Sequence, residues 1–61
     1  MKKSIELIKK LIKEHEQSGF CTNYDEAESE KDPSKCFYMA YDVGRYETLC
    51  NLYNKLKRME Q

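Results

Sequence analysis

Apolar side chains recur with the period of an α-helix in two segments of this chain, and a polar connector separates them. The first segment carries one stripe with steps of three and four: Ile5, Ile8, Leu11 and Ile12. Ser4 precedes the stripe as a candidate N-cap, and Gly19 follows it as a candidate C-cap. The pattern predicts a first helix over about residues 4–18.

The second segment carries two apolar stripes on neighbouring faces. One stripe consists of Cys36, Met39, Val43, Tyr46, Cys50 and Tyr53. The other consists of Tyr38, Tyr41, Leu49, Leu52, Leu56 and Met59. Asp32 is a candidate N-cap and Pro33 suits the first helical position, so the pattern predicts a long helix over about residues 33–59. Gly44 lies inside it, which indicates close packing of another backbone or a kink.

Residues 19–32 are predicted to form an acidic loop between the helices. Within this loop Asn23 could cap a short helical turn that ends near Glu28. The carboxylates of the connector are Asp25, Glu26, Glu28, Glu30 and Asp32. They are either solvated or form an acidic partner-binding loop that imitates nucleic acid. A calcium loop is disfavoured because the stretch has no glycine.

The fold class predicted for residues 1–61 is all-α, with one domain built as a hairpin of a short N-terminal and a long C-terminal helix. A chain of this size buries only about 60% of its unfolded surface. The first helix is too short to cover both stripes of the second, so the pattern predicts a homodimer. The predicted protein interface comprises Met39, Val43, Gly44, Arg45, Tyr46, Leu49, Tyr53 and Leu56.

The ionisable and nucleophilic side chains predict neither catalysis nor a metal or cofactor. The three cysteines, at positions 21, 36 and 50, have no metal-finger spacing, and Cys36 lies about 21 Å from Cys50 along one helix. They are predicted to be free thiols. His15 is the one histidine, predicted at the rim of the core or at a helix C-terminus. The chain is therefore expected not to be an enzyme.

Eleven basic and eleven acidic side chains balance, which argues against a strongly basic nucleic-acid binder. Basic side chains nevertheless cluster on the first helix and near the C-terminus: Lys2, Lys3, Lys9, Lys10, Lys13, Lys55, Lys57 and Arg58. In an antiparallel hairpin the two clusters would merge and could contact phosphates. No segment has the pattern of a secretory signal or a membrane span, and the odd number of cysteines favours the cytoplasm.

Four of the five tyrosines fall on the second helix, which favours a protein interface because tyrosine gives a large contact area at low entropic cost. Arg45 is a candidate hot spot among them, although it could pair with Asp42 or Glu47 instead.

The stretch AYDVGRYETL at residues 40–49 resembles a pattern in small proteins of phages and mobile elements. The resemblance implies an accessory protein, in the host cytoplasm, that binds and disables a host or defence protein. Two alternatives stay open: a nucleic-acid-binding regulatory dimer, and an oligomer that sequesters an anionic small molecule or nucleotide through Arg45 and tyrosines.

Overall fold

A computed structural model describes residues 2–60, and helices are the only regular elements in that range. The elements are α1 (Lys2–Gln17), α2 (Tyr24–Glu28) and α3 (Pro33–Glu60). The all-α class is therefore confirmed for the described range. The long C-terminal helix is confirmed as well, and α2 adds a short third helix inside the predicted loop.

The first helix begins earlier than predicted and ends as the glycine signal indicates. Ser4 lies inside α1 and is not its N-cap, because helix-forming lysines before it continue the helix to Lys2. At the other end the Ser18 amide donates to the Glu14 carbonyl at 3.0 Å. Gly19 then takes a φ of +78°, the left-handed conformation that glycine adopts without a steric penalty.

Both later helices begin at the cap residues that the sequence indicates. The Asn23 side chain accepts from the Asp25 amide at 2.8 Å, so the short helical turn considered in the connector is present as α2. The Asp32 side chain accepts from the Ser34 amide at 3.1 Å, which caps α3 ahead of Pro33. The 28 residues of α3 span about 42 Å, close to the 43 Å length of the molecule.

Helix α3 is the element against which the other two pack. α1 lies antiparallel beside its C-terminal half, since Glu16 contacts Tyr46 whereas Lys9 lines a groove with Asn54. α2 packs against its N-terminal half, where Ala27 meets Val43. The core is small, and its buried side chains in the described range are Ile5, Ile8, His15, Cys21, Ala27 and Val43.

Gly44 faces a side chain and not another backbone. A Cβ atom added there would lie 3.6 Å from the Tyr24 hydroxyl oxygen, which is an ordinary van der Waals distance. The prediction of close backbone packing is therefore wrong, because α2 places the Tyr24 side chain, and not a backbone, beside Gly44. Helix α3 continues unbroken through this position.

We expect Gly44→Ala to stabilise the fold by up to about 1 kcal/mol, because alanine loses less backbone entropy in a helix and its methyl group fits beside Tyr24. Thermal unfolding followed by circular dichroism should show a melting temperature higher by about 4–8 °C. The control is Gly19→Ala, which should lower the melting temperature because of the left-handed φ there. A fall for Gly44→Ala would contradict the expectation.

Candidate protein-binding surface

The predicted interface residues on the inner side of α3 are used within the chain. Val43 has no exposed surface and packs with Cys21 and Ala27, and Met39 lies against the same cluster. Gly44 is half-buried beside Tyr24. This side of α3 packs against α2 and against the segment before α2. The hydrophobic pattern alone did not predict this packing.

Tyr46 joins α3 to α1. Its hydroxyl donates a hydrogen bond of 2.7 Å to the Glu16 carboxylate, and its ring lies 5.1 Å from the His15 ring between centroids. This hydrogen bond, with burial and the nearby Cys50 thiol, raises the pKa of Tyr46 from 10.0 to about 12. The phenol therefore keeps its proton, and with it the bond, over the pH range in which an ordinary tyrosine ionises.

The remaining predicted interface residues are more accessible. Leu49, Tyr53 and Leu56 are half-buried, and Arg45 is exposed. Arg45 lies on the opposite side of α3 from Val43, since two residues along a helix correspond to a rotation of about 200°. Participation of these four side chains in an interface stays a prediction.

Three aromatic side chains stand exposed on the N-terminal half of α3, and we call them the aromatic surface: Phe37, Tyr38 and Tyr41. Their exposed fractions are 69%, 66% and 64%. The Phe37 and Tyr38 rings contact each other edge to face, with 5.7 Å between centroids. Phe37 belonged to neither predicted stripe, although its spacing of four residues from Tyr41 places both on one helical face. Arg45 continues this face one turn further.

The acidic side chains of the connector take local structural roles. Asp32 caps α3, and the Glu30 carboxylate accepts from the Asp32 amide at 3.2 Å. Asp25 and Glu26 lie in the first turn of α2, where the helix dipole favours negative charge. Glu28 is exposed at the end of the same helix. Use of the segment as a partner-binding loop stays a prediction.

His15 lies in the last turn of α1, which confirms the predicted position at a helix C-terminus. It is buried, with 1% of its surface exposed, and is not at the rim of the core. Its Nε2 donates to the Cys21 carbonyl at 3.0 Å, and its ring lies between those of Phe20 and Tyr46. Its Nδ1 has no hydrogen-bond partner among residues 2–60. His15 therefore ties α1 to the connector and to α3.

The thiols of the described range are free, and its metal-ligating side chains are dispersed. The three cysteines are free, and the Cys21 thiol donates to the Asn23 carbonyl at 3.3 Å. No three metal-ligating side chains of residues 2–60 lie together. An open groove of about 350 Å³ runs between α1 and α3, lined by Lys9, Ile12, Lys13, Glu16, Cys50, Tyr53 and Asn54. Its charged groups include both signs.

The chain matches no protein-family model, no curated protein and no solved structure. Across residues 2–60 no helix combines the length and the apolar character needed to cross a membrane.

Proposed function

We propose that this chain is a non-enzymatic protein-binding module that contacts its partner through the aromatic surface. The observation that carries the proposal is the exposure of three neighbouring aromatic rings by a chain with very little core. Aromatic side chains are enriched at protein interfaces and supply many binding hot spots, because they bury a large area and lose little rotamer entropy.

The part of α3 that carries the aromatic surface is held in place by packing, which favours binding. Val43 and Met39 anchor this part of α3 to α2 from the inner side, so the aromatic rings project from a supported helix. A rigid support reduces the entropy lost on association. Arg45, exposed one turn beyond Tyr41, adds a charged donor that can bind a carboxylate of the partner.

The partner we propose is a host or defence protein, which the chain would disable as a small accessory protein of a phage or mobile element. This part of the proposal derives from the resemblance at residues 40–49, which covers Tyr41 and Arg45. Binding by itself can inhibit when the covered site is the partner's functional surface, so such a role needs no catalytic group on this chain.

The test is capture of the partner by the tagged chain from host lysate, with the eluate analysed by native mass spectrometry. We expect one stoichiometric protein that is retained in high salt. The double variant Tyr38→Ser/Tyr41→Ser should lose it, whereas Glu47→Ser/Asn51→Ser, at exposed positions on another side of α3, should retain it. Equal capture by both double variants would show that the aromatic surface is not the binding site.

A nucleic-acid-binding function is the second candidate, and the antiparallel packing is the observation that favours it. Lys2 and Lys3 at the start of α1 lie at the same end of the molecule as Lys57 and Arg58 in the last turn of α3. Affinity that falls steeply with salt, by a slope of roughly one per neutralised phosphate, would favour this function. Co-eluting nucleic acid in place of a protein would replace the first proposal.

A further inference from the structure

The five leucines of this chain all lie within the described range, and none of them is buried. Leu7 and Leu52 are 58% and 43% exposed, and the others, Leu11, Leu49 and Leu56, are half-buried. The buried apolar side chains are isoleucine, valine, alanine and cysteine. Full burial of one leucine stabilises a fold by about 1.5–3 kcal/mol. The single chain therefore lacks much of the hydrophobic stabilisation that burial of its leucines could supply.

The leucines of both helices lie on one side of the α1–α3 pair. Lys9 and Lys13 of α1 and Asn54 of α3 line the groove on the other side. Leu11 is two residues from each lysine, and Leu52 is two residues from Asn54, which is a rotation of about 200° around the helix. Because α1 and α3 run antiparallel side by side, Leu11 and Leu52 face away from the groove in the same direction. The half-buried Leu49 and Leu56 lie between Leu52 and Tyr53 around the axis of α3.

The leucines also lie at the same height along the pair. Glu16 is level with Tyr46, and the Lys9 turn is level with Asn54, so Leu7 and Leu11 lie beside the C-terminal half of α3. We call this patch the leucine surface: Leu7, Leu11, Leu49, Leu52 and Leu56. The aromatic surface lies outside it, toward the N-terminal end of α3.

The exposed area of the chain is larger than that expected of a compact monomer of the same mass. The surface measures 4971 Å², whereas a compact monomer of 7.3 kDa is expected to expose about 4,200 Å². The elongated shape of 43 × 18 × 13 Å contributes to this excess. Its size, about 800 Å², is similar to the area that each partner buries in a standard protein interface.

We infer that the leucine surface is the contact between two copies of this chain, which pair through α1 and α3 into a four-helix bundle. Leu49, Leu52 and Leu56 follow the alternating steps of three and four that helices use to interlock, and Met59 extends the series. The leucines themselves carry no charge, so two copies of the patch can meet across a two-fold axis without like charges at its centre. The contact shares Leu49 and Leu56 with the interface predicted from the sequence, and it is independent of the proposed binding function.

The test compares the mass of the native chain with those of two variants by sedimentation equilibrium over a range of micromolar concentrations. The native chain should have twice the mass of 7.3 kDa. Leu52→Glu should raise the dimer dissociation constant on the order of 100-fold or more, because each dimer loses two buried leucines and gains two facing charges. Leu7→Glu should act similarly, since α1 shares the contact. Tyr41→Glu is the control and should remain dimeric.

Thermal unfolding of the native chain supplies a second measurement that needs no variant to fold. A dimer melts at a lower temperature when it is diluted, because dissociation accompanies unfolding. A melting temperature that stays constant over a hundredfold dilution, with a mass of 7.3 kDa throughout, would overturn the inference. A dimer that Leu52→Glu and Leu7→Glu both leave intact would overturn the assignment of the contact to the leucine surface.

Discussion

Replacement of His15 by alanine is expected to lower the free energy of unfolding by about 3–4 kcal/mol, the largest loss of any single side chain truncation in this fold. The imidazole is buried between Phe20 and Tyr46, so its removal leaves a cavity in a core that has few other members. The substitution also leaves the Cys21 carbonyl without its donor, which adds a penalty of about 1 kcal/mol or more.

A loss of this size is at least a third of the whole stability expected for the chain, which is roughly 3–9 kcal/mol for 61 residues. Urea unfolding followed by circular dichroism, at one fixed protein concentration, should therefore show His15→Ala unfolding at a much lower urea concentration than the native chain. Glu14→Ala, at the exposed neighbouring position, should stay within about 0.5 kcal/mol of the native chain. If His15→Ala were no less stable than Glu14→Ala, His15 could not be the central contact of the fold.

The second large effect is expected at Val43, where alanine should lower the free energy of unfolding by about 2–3 kcal/mol. Val43 is fully buried against Cys21 and Ala27, so its truncation removes contacts within this cluster and leaves a cavity there. The same urea experiment measures the loss.

The matched control for Val43 is Arg45→Ala, two residues away on the exposed side of the same helix, which should change stability by less than about 0.5 kcal/mol. Equal stabilities for the two variants would mean that α2 does not pack on α3 as the structure shows. Hydrogen exchange of the Ala27 amide would give an independent reading of that packing.

The helix boundaries could be predicted well from the sequence because capping is local. Asn23, Asp32 and Gly19 each act within a few residues of their own position, through hydrogen bonds or a backbone conformation that the residue type favours. Ser4 misled the prediction because a cap residue is also tolerated inside a helix when the residues before it are good helix formers.

The packing of α3 could not be predicted to the same degree. Its two apolar stripes, one through Val43 and one through Leu52, satisfy the helical period equally well. The choice between them depends on where α1 and α2 dock, and α2 brings Tyr24 and Ala27 to one side of α3. The burial of His15 likewise depends on the turn at Gly19, which brings the Cys21 carbonyl back to the ring. Such non-local contacts leave no trace in a hydrophobic pattern.

The antiparallel arrangement also sets the order in which the chain can assemble. Ala27 meets Val43 across a short stretch of chain, and Glu16 meets Tyr46 across thirty residues. Lys9 and Asn54, which are farther apart in the chain, line the same groove. Entropy of loop closure favours the shortest loop first, and each contact formed shortens the loop needed for the next. The hairpin is thus expected to form its contacts in order, first near the connector and then toward the two chain ends. Such folding is typically rapid in helical proteins that have mainly local contacts.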